Sequence, residues 1–180
     1  YNWVIPAEPM WLAINWNIIF IAVNLYHIAV IIYEKRPVHM SPKHKELYET
    51  MFKGMTPVEF LKITKIADWT QFKPGEVITQ QTHNVPTLNL IYNGTVDVSV
   101  DSKKVAELKD GQFVGEMSFL TEKPATATCR AKHNTECLTW EQQGFKELLK
   151  RNPSLYFSIQ SLLSAQVSEA LVSSSKHKGE

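Results

Sequence analysis

The pattern of apolar and polar positions changes character three times along the chain. From Leu12 to Tyr33 the sequence LAINWNIIFIAVNLYHIAVIIY carries no Asp, Glu, Lys or Arg. A helix of about 22 residues at about 1.5 Å rise spans about 33 Å, close to the hydrocarbon thickness of a bilayer. Asn15, Asn17, Asn24 and His27 interrupt the run, and Asn17, Asn24 and His27 fall near one helical stripe. In lipid such a stripe favours a neighbouring helix, in a second copy or in further spans. The competing reading is an amphipathic core helix of a soluble protein. A signal peptide fits poorly, because the charges follow the run and no small-residue cleavage site comes after it.

Glu34-Lys35-Arg36-Pro37 closes the run, and His39, Lys43, His44 and Lys45 follow, whereas Glu8 is the sole charge from Tyr1 to Trp11. The positive-inside rule then predicts a cytoplasmic C-terminal part. Trp3 and Trp11 on one side and Tyr33 on the other suit interfacial aromatic belts, and Pro37 ends the helix.

Two short helices come next. Ser41-Pro42 reads as an N-cap with proline at the first helical position, opening a helix through Leu47, Tyr48, Met51 and Phe52 that Gly54 ends. Thr56 and Glu59 stand at capping-box spacing and open a second, with Val58, Phe60, Leu61, Ile63 and Ile66 as its apolar face.

From Trp69 the period shortens to two. After a turn over Phe72–Gly75, strands are predicted at Val77–Thr79, Leu88–Tyr92, Thr95–Val100, Val105–Leu108, Thr126–Ala131 and Glu136–Trp140, with a short Gly-containing piece over Phe113–Leu120. Asn93-Gly94 reads as a hairpin turn and Asp110-Gly111 as a further turn. Helical periodicity returns after Trp140, through Phe145, Leu148, Leu149, Leu155, Ile159, Leu162, Leu163, Val167 and Leu171, before a polar tail from Ser173. The expected fold is mainly β with flanking α: a small antiparallel barrel or jelly roll behind one transmembrane helix. The expected division is a membrane segment over 1–36 (span about 12–33), a helical linker over 37–67, the β-roll with its C-terminal helices over 68–172, and a polar tail over 173–180.

Composition changes this picture little. The chain is 44% hydrophobic and 21% charged with net charge +1, so no basic field argues for nucleic acid. Cys129 and Cys137 lack metal-type spacing and read as reduced thiols in strands. No P-loop, nucleophile elbow or zinc-protease signature occurs, no catalytic constellation stands out, and the histidines read as surface or linker residues, so no enzyme activity and no metal are expected. The chain begins at Tyr1 rather than Met, which fits a processed form or a piece of a longer protein.

The segment that carries chemistry is Gly111-Gln-Phe-Val-Gly115-Glu116-Met117-Ser118-Phe119-Leu120, followed by Pro124-Ala125-Thr126-Ala127-Thr128. Gly115 allows close backbone approach, Glu116–Leu120 can form a helical turn with free N–H groups, and a Glu116 carboxylate can accept from a hydroxyl. Taken alone, the same residues also fit an ordinary turn and cap.

This segment resembles the phosphate-binding cassette of cyclic-nucleotide-binding domains: Gly-Glu, small and apolar residues, a variable loop, then Pro-Arg-Ala/Ser/Thr-Ala-Thr. The resemblance covers about Met55 to Val172 and implies a cyclic-nucleotide-binding-type β-roll. It further implies that Gly115, Glu116, Met117, Ser118, Thr126 and Ala127 line a ribose–phosphate site, that Glu116 holds the ribose hydroxyl, and that Val114 and a residue of the last helix approach the base. Cyclic AMP or cyclic GMP would be the regulatory ligand, with no other cofactor. The family's phosphate-pairing arginine falls on Ala125 here. A charge-assisted hydrogen bond is worth about 1.5–3 kcal/mol, so phosphate binding rests on backbone N–H groups or is weak or lost. Arg130, an odd offset along the strand, is expected on the opposite face.

A second resemblance is to the Popeye domain. It rests on a membrane helix running into Tyr33-x-x-Arg36-Pro37-Val38, on Glu46-Leu47-Tyr48-x-x-Met51-Phe52, and on Cys137-Leu138-Thr139-Trp140 followed by Phe145–Leu155. It implies membrane anchoring, cyclic AMP binding, dimerisation, regulation of a membrane partner such as a channel, and further membrane helices before Tyr1. The Popeye Asp-Ser-Pro-Glu element is replaced here by Val114-Gly115-Glu116-Met117. Two functions stay open: a membrane-tethered cyclic AMP sensor that regulates a membrane partner, or a ligand-free roll serving as an interaction or dimerisation scaffold. In the second, Leu162, Leu163, Val167 and Leu171 pack on a partner. A transcription regulator is disfavoured because no helix-turn-helix follows the last helix, and no pore sequence argues for a channel.

Overall fold

A computed structural model describes the backbone of residues 11–34 and 40–176 and most of their side chains through residue 166. The expectations for Trp3, Glu8, Lys35–His39, the side chains of Tyr33, Val167 and Leu171, and the last four residues lie outside the described residues. The chain divides into two units, Tyr1–His39 and Met40–Glu180.

In the first unit, α1 (Trp11–Glu34) is one uninterrupted helix whose described side chains are all exposed. Its stretch Ile14–Ile32, with a mean hydropathy of 1.6, is long and apolar enough to cross a membrane. The Asn24 amide donates to the Phe20 carbonyl at 2.8 Å, so that polar group is satisfied within the helix itself.

The second unit opens with α2 (Pro42–Thr50) and α3 (Pro57–Thr64), each started as the caps predict. The Ser41 hydroxyl accepts from the His44 N–H, and Thr56 and Glu59 form a reciprocal capping box. Helix α2 stops earlier than expected, at a Met51 cap rather than at Gly54. Within α3, Phe60 and Ile63 are fully buried, while Ile66, expected on the apolar face, is exposed.

Eight strands follow, in two antiparallel four-stranded sheets that form the β-roll. They are β1 (Ala67–Phe72), β2 (Val77–Thr79), β3 (Thr87–Asn93), β4 (Val96–Val100), β5 (Lys103–Leu108), β6 (Phe113–Val114), β7 (Thr128–Ala131) and β8 (Thr135–Glu141). The first sheet runs β1-β8-β3-β6 and the second β2-β7-β4-β5. Helix α4 (Glu116–Thr121) lies between β6 and β7, and α5 (Gln142–Lys150) and α6 (Pro153–Lys176) complete the unit. Helix α6 continues to Lys176, into the first residues of the expected polar tail.

Two departures from the sequence reading concern strand pairing. Asn93-Gly94 is not a hairpin turn. It passes the chain from β3 in one sheet to β4 in the other. Gly94 has φ +138°, its N–H donates to the Asp110 carboxylate at 2.8 Å, and a Cβ there would lie 2.5–2.8 Å from Thr135 atoms, backbone included. The true hairpin joins β4 and β5 through Asp101 and Ser102, both at positive φ. Gly94→Ala is therefore expected to destabilise the fold by about 2–3 kcal/mol, read as a lower urea midpoint, because both backbone strain and an irreducible clash arise. The second departure is β1, which the periodicity does not predict. It pairs with β8 from Ala67–Trp140 to Phe72–Thr135.

Strand β3 is buried on both faces, so it lacks clean alternation. Leu88, Leu90, Leu138 and Trp140 face the helices and pack with Phe60, Phe145, Leu155, Ile159 and Leu163. Ile91, Val96, Val114, Cys129 and Cys137 fill the interior of the roll. Leu163 is fully buried against the chain's own sheet, and Leu162 is half-buried at the edge of the same cluster. Helix α2 is fastened to the roll by polar contacts. The Lys43 ammonium sits 2.6 Å from Glu136 and 4.9 Å from the Trp69 ring centre, and Tyr92 donates to Glu46 at 2.7 Å.

Candidate functional site

One cavity in the roll gathers most of the predicted site. Gly115, Glu116, Met117 and Ser118 form one wall, and Ala125, Thr126 and Ala127 face them. The two stretches that the sequence placed ten residues apart are therefore opposite sides of one space. It encloses about 140 Å³, small beside the roughly 300–1,000 Å³ typical of small-molecule sites. Val114, expected to approach the base, does not line it. That residue is fully buried, paired with Asn89 and packed in the roll interior.

Local geometry explains why the wall bends there. Gly115 caps α4 in the left-handed region, φ +92°, and a Cβ would meet the Thr87 carbonyl at 3.0 Å and Val85 at 3.1 Å. Helix α4 is six residues long and closes on Glu122, whose N–H returns to the Ser118 carbonyl. The Ser118 hydroxyl donates to the Lys123 carbonyl at 2.6 Å, which folds the following loop back beneath the helix. Phe119 anchors the far side against Phe145, ring centres 5.5 Å apart.

The facing wall is held by the β2–β3 loop. The Ala125 N–H donates to the His83 carbonyl at 2.9 Å, and the Thr82 N–H donates to the Ala125 carbonyl at 2.8 Å. The Ala125 N–H is thus already engaged. Thr128 accepts from the Gln81 N–H at 3.0 Å.

Sequence reasoning missed the remaining lining: Thr79, Val85, Val98, Ala106, Leu108 and Cys129. A signal for part of it existed. Val98 belongs to the apolar face of the period-two stretch Val96–Val100, and in register it lies opposite both Ala106 and Cys129. Without the pairing, nothing connected it to the cassette.

Glu116 is the only charged side chain in the lining. Burial raises its carboxyl above the usual range, against a smaller lowering by its own and the Gly115 N–H groups. Burial likewise pushes the Cys129 thiol up to about 11, so it is neutral at physiological pH. Arg130 is exposed and donates to the Gly75 carbonyl, outside the lining as its offset predicted. A raised acid disfavours the fold wherever it is ionised in both states. The penalty is absent at acid pH and develops as pH rises from the unfolded value through the folded one. Glu116→Gln is therefore expected to raise the melting temperature at pH 7 and to leave it nearly unchanged at pH 4. Scanning calorimetry at both pH values checks this.

The fold is a cyclic-nucleotide-binding type of β-roll. Residues 69–152, a little under half of the chain, match the family model of the Cyclic nucleotide-binding domain. The chain is also similar to Popeye domain-containing protein 1 of Gallus gallus, 23% identical over 88% of this chain and 47% of that protein. Lysophospholipase nte1 of Neurospora crassa is 24% identical over 76% of this chain but only 9% of its own length. The chain thus spans about half of the first relative and about a tenth of the second. Among solved structures, a putative cyclic nucleotide-binding protein from Geobacter metallireducens superposes with a TM-score of 0.65 at 22% identity, covering 74% of this chain and 99% of that one.

Proposed function

We propose that the chain is a membrane-tethered regulatory module that senses a cyclic nucleotide, cyclic AMP, and reports its occupancy to a membrane partner or a second copy. The observation that carries this reading is the single cavity formed by Gly115–Ser118 and Ala125–Ala127, with Glu116 placed to accept from a ribose hydroxyl. The small volume holds the sugar end of the ligand, and the base lies toward the mouth. Support for tethering comes from α1, whose length and apolarity match a bilayer, and from the similarity to a Popeye protein over most of the chain. The cytoplasmic orientation of the roll follows from the charge distribution around α1. Helices α2 and α3 precede the roll in sequence, and the contacts of Lys43 and Tyr92 tie α2 to the sheet. A ligand shifts such a connector only through different affinity for two arrangements of it.

A second reading has an observation in its favour. The cavity contains no cation to meet a phosphate, as a roll kept for its surface rather than its ligand would show. Titration calorimetry of the whole chain in lipid nanodiscs separates the two. The sensor reading expects saturable heat with cyclic AMP, at an affinity roughly 10- to 150-fold below that of a site with an arginine at position 125. No heat at millimolar ligand would leave the scaffold.

A further inference from the structure

We infer that the cavity prefers an uncharged ribose-bearing ligand, a ribonucleoside, to the cyclic phosphate of the same nucleoside. The inference rests on the reading of this cavity as the ligand site and concerns what charge it accepts.

The argument is an inventory of charge. Of the residues lining the cavity, Glu116 is the one carboxyl group and none is basic, and the thiol of Cys129 stays protonated at neutral pH. The rest are hydroxyls (Thr79, Ser118, Thr126), glycine and apolar side chains. The basic residues nearest in sequence all lie outside the lining. Lys123 is exposed and outside the lining, and its carbonyl rather than its ammonium meets Ser118. Arg130 is held on the Gly75 carbonyl. The ring of exposed His83 lies 3.0 Å from the Gln81 carbonyl, and its own carbonyl holds the Ala125 N–H that an anion would otherwise use.

A phosphate entering here loses its water without gaining a cation, and it adds a second negative charge to a half-buried space that already holds a carboxylate. A neutral ribose meets no such opposition. Its hydroxyls donate to the Glu116 carboxylate, and hydrogen bonds to a charged acceptor are the stronger kind. Leaving a charged group without a partner costs about 1–3 kcal/mol or more, no arginine at position 125 offsets it, and like-charge repulsion acts in the same direction. The nucleoside is therefore expected to bind at least about tenfold more tightly than its cyclic phosphate.

The test is titration calorimetry of the whole, unaltered chain in nanodiscs with adenosine, guanosine, 2′-deoxyadenosine, cyclic AMP and cyclic GMP as probes. The expected result is that a nucleoside binds at least about tenfold more tightly than its cyclic phosphate, and that 2′-deoxyadenosine binds about tenfold more weakly than adenosine. In Glu116→Gln the gap between nucleoside and cyclic nucleotide should narrow, because ribose loses a charged acceptor while phosphate loses a repelling neighbour. Equal or tighter binding of the cyclic nucleotides overturns the inference and leaves the sensor proposal standing. Equal binding of adenosine and 2′-deoxyadenosine removes the ribose contact and overturns it as well. Absence of heat from every probe at millimolar concentration overturns both the inference and the sensor proposal.

Discussion

Trp140→Ala is expected to remove about 3–5 kcal/mol of folding stability, a large share of the roughly 5–15 kcal/mol typical of a domain. Trp140 joins three elements. It sits in β8, its indole N–H donates to the Ile63 carbonyl of α3 at 2.8 Å, and its ring stacks on Phe145 of α5 with centres 5.3 Å apart. At 1% exposure, truncation leaves a cavity beneath the helices and an unpaired carbonyl at the end of α3. Trp140→Phe keeps much of the volume and loses the hydrogen bond, so it should lose about 1–3 kcal/mol. Urea denaturation followed by circular dichroism checks both. Near-equal losses would mean that the carbonyl, not the packing, dominates.

Ala125→Arg is expected to tighten cyclic AMP binding by roughly 10- to 150-fold, the value of one charge-assisted hydrogen bond to phosphate. Ala125 is buried, yet it lines the cavity, so a guanidinium there would extend into the space proposed for the phosphate and toward Glu116. The same substitution should raise cyclic nucleotide affinity relative to nucleoside affinity. A melting curve like that of the parent establishes that the variant folds. With folding intact, an unchanged cyclic AMP affinity would show that position 125 does not face the phosphate.

What could be read from the chain beforehand follows a physical division between local and long-range information. The apolar helix, the Ser41 and Thr56 caps and most strands were legible, because periodicity and capping depend on residues within a few positions of one another. The Gly115-Glu116 bend was legible for the same reason. Partnership between strands was not. Asn93-Gly94 has the composition of a hairpin turn, but Thr135 and Asp110 close around it and direct β4 into the other sheet. Strand β1 follows α3 after only two residues, Lys65 and Ile66, and owes its conformation to pairing with β8 across the chain. The far wall of the cavity depends on the register that sets Val98 against Ala106 and Cys129, which no local pattern encodes. Val114 was misplaced because a two-residue strand offers too little alternation to show which face is interior.

Hydrogen exchange read by mass spectrometry, on the whole chain with and without saturating cyclic AMP or adenosine, addresses the location of the site independently of its affinity. Slowed exchange should be confined to amides of Gly115–Ser118 and Ala125–Ala127, the two stretches that bound the cavity. Protection appearing instead in the groove between α4, α5 and α6, around Phe119, Lys146 and Tyr156, would place the ligand elsewhere and contradict the account.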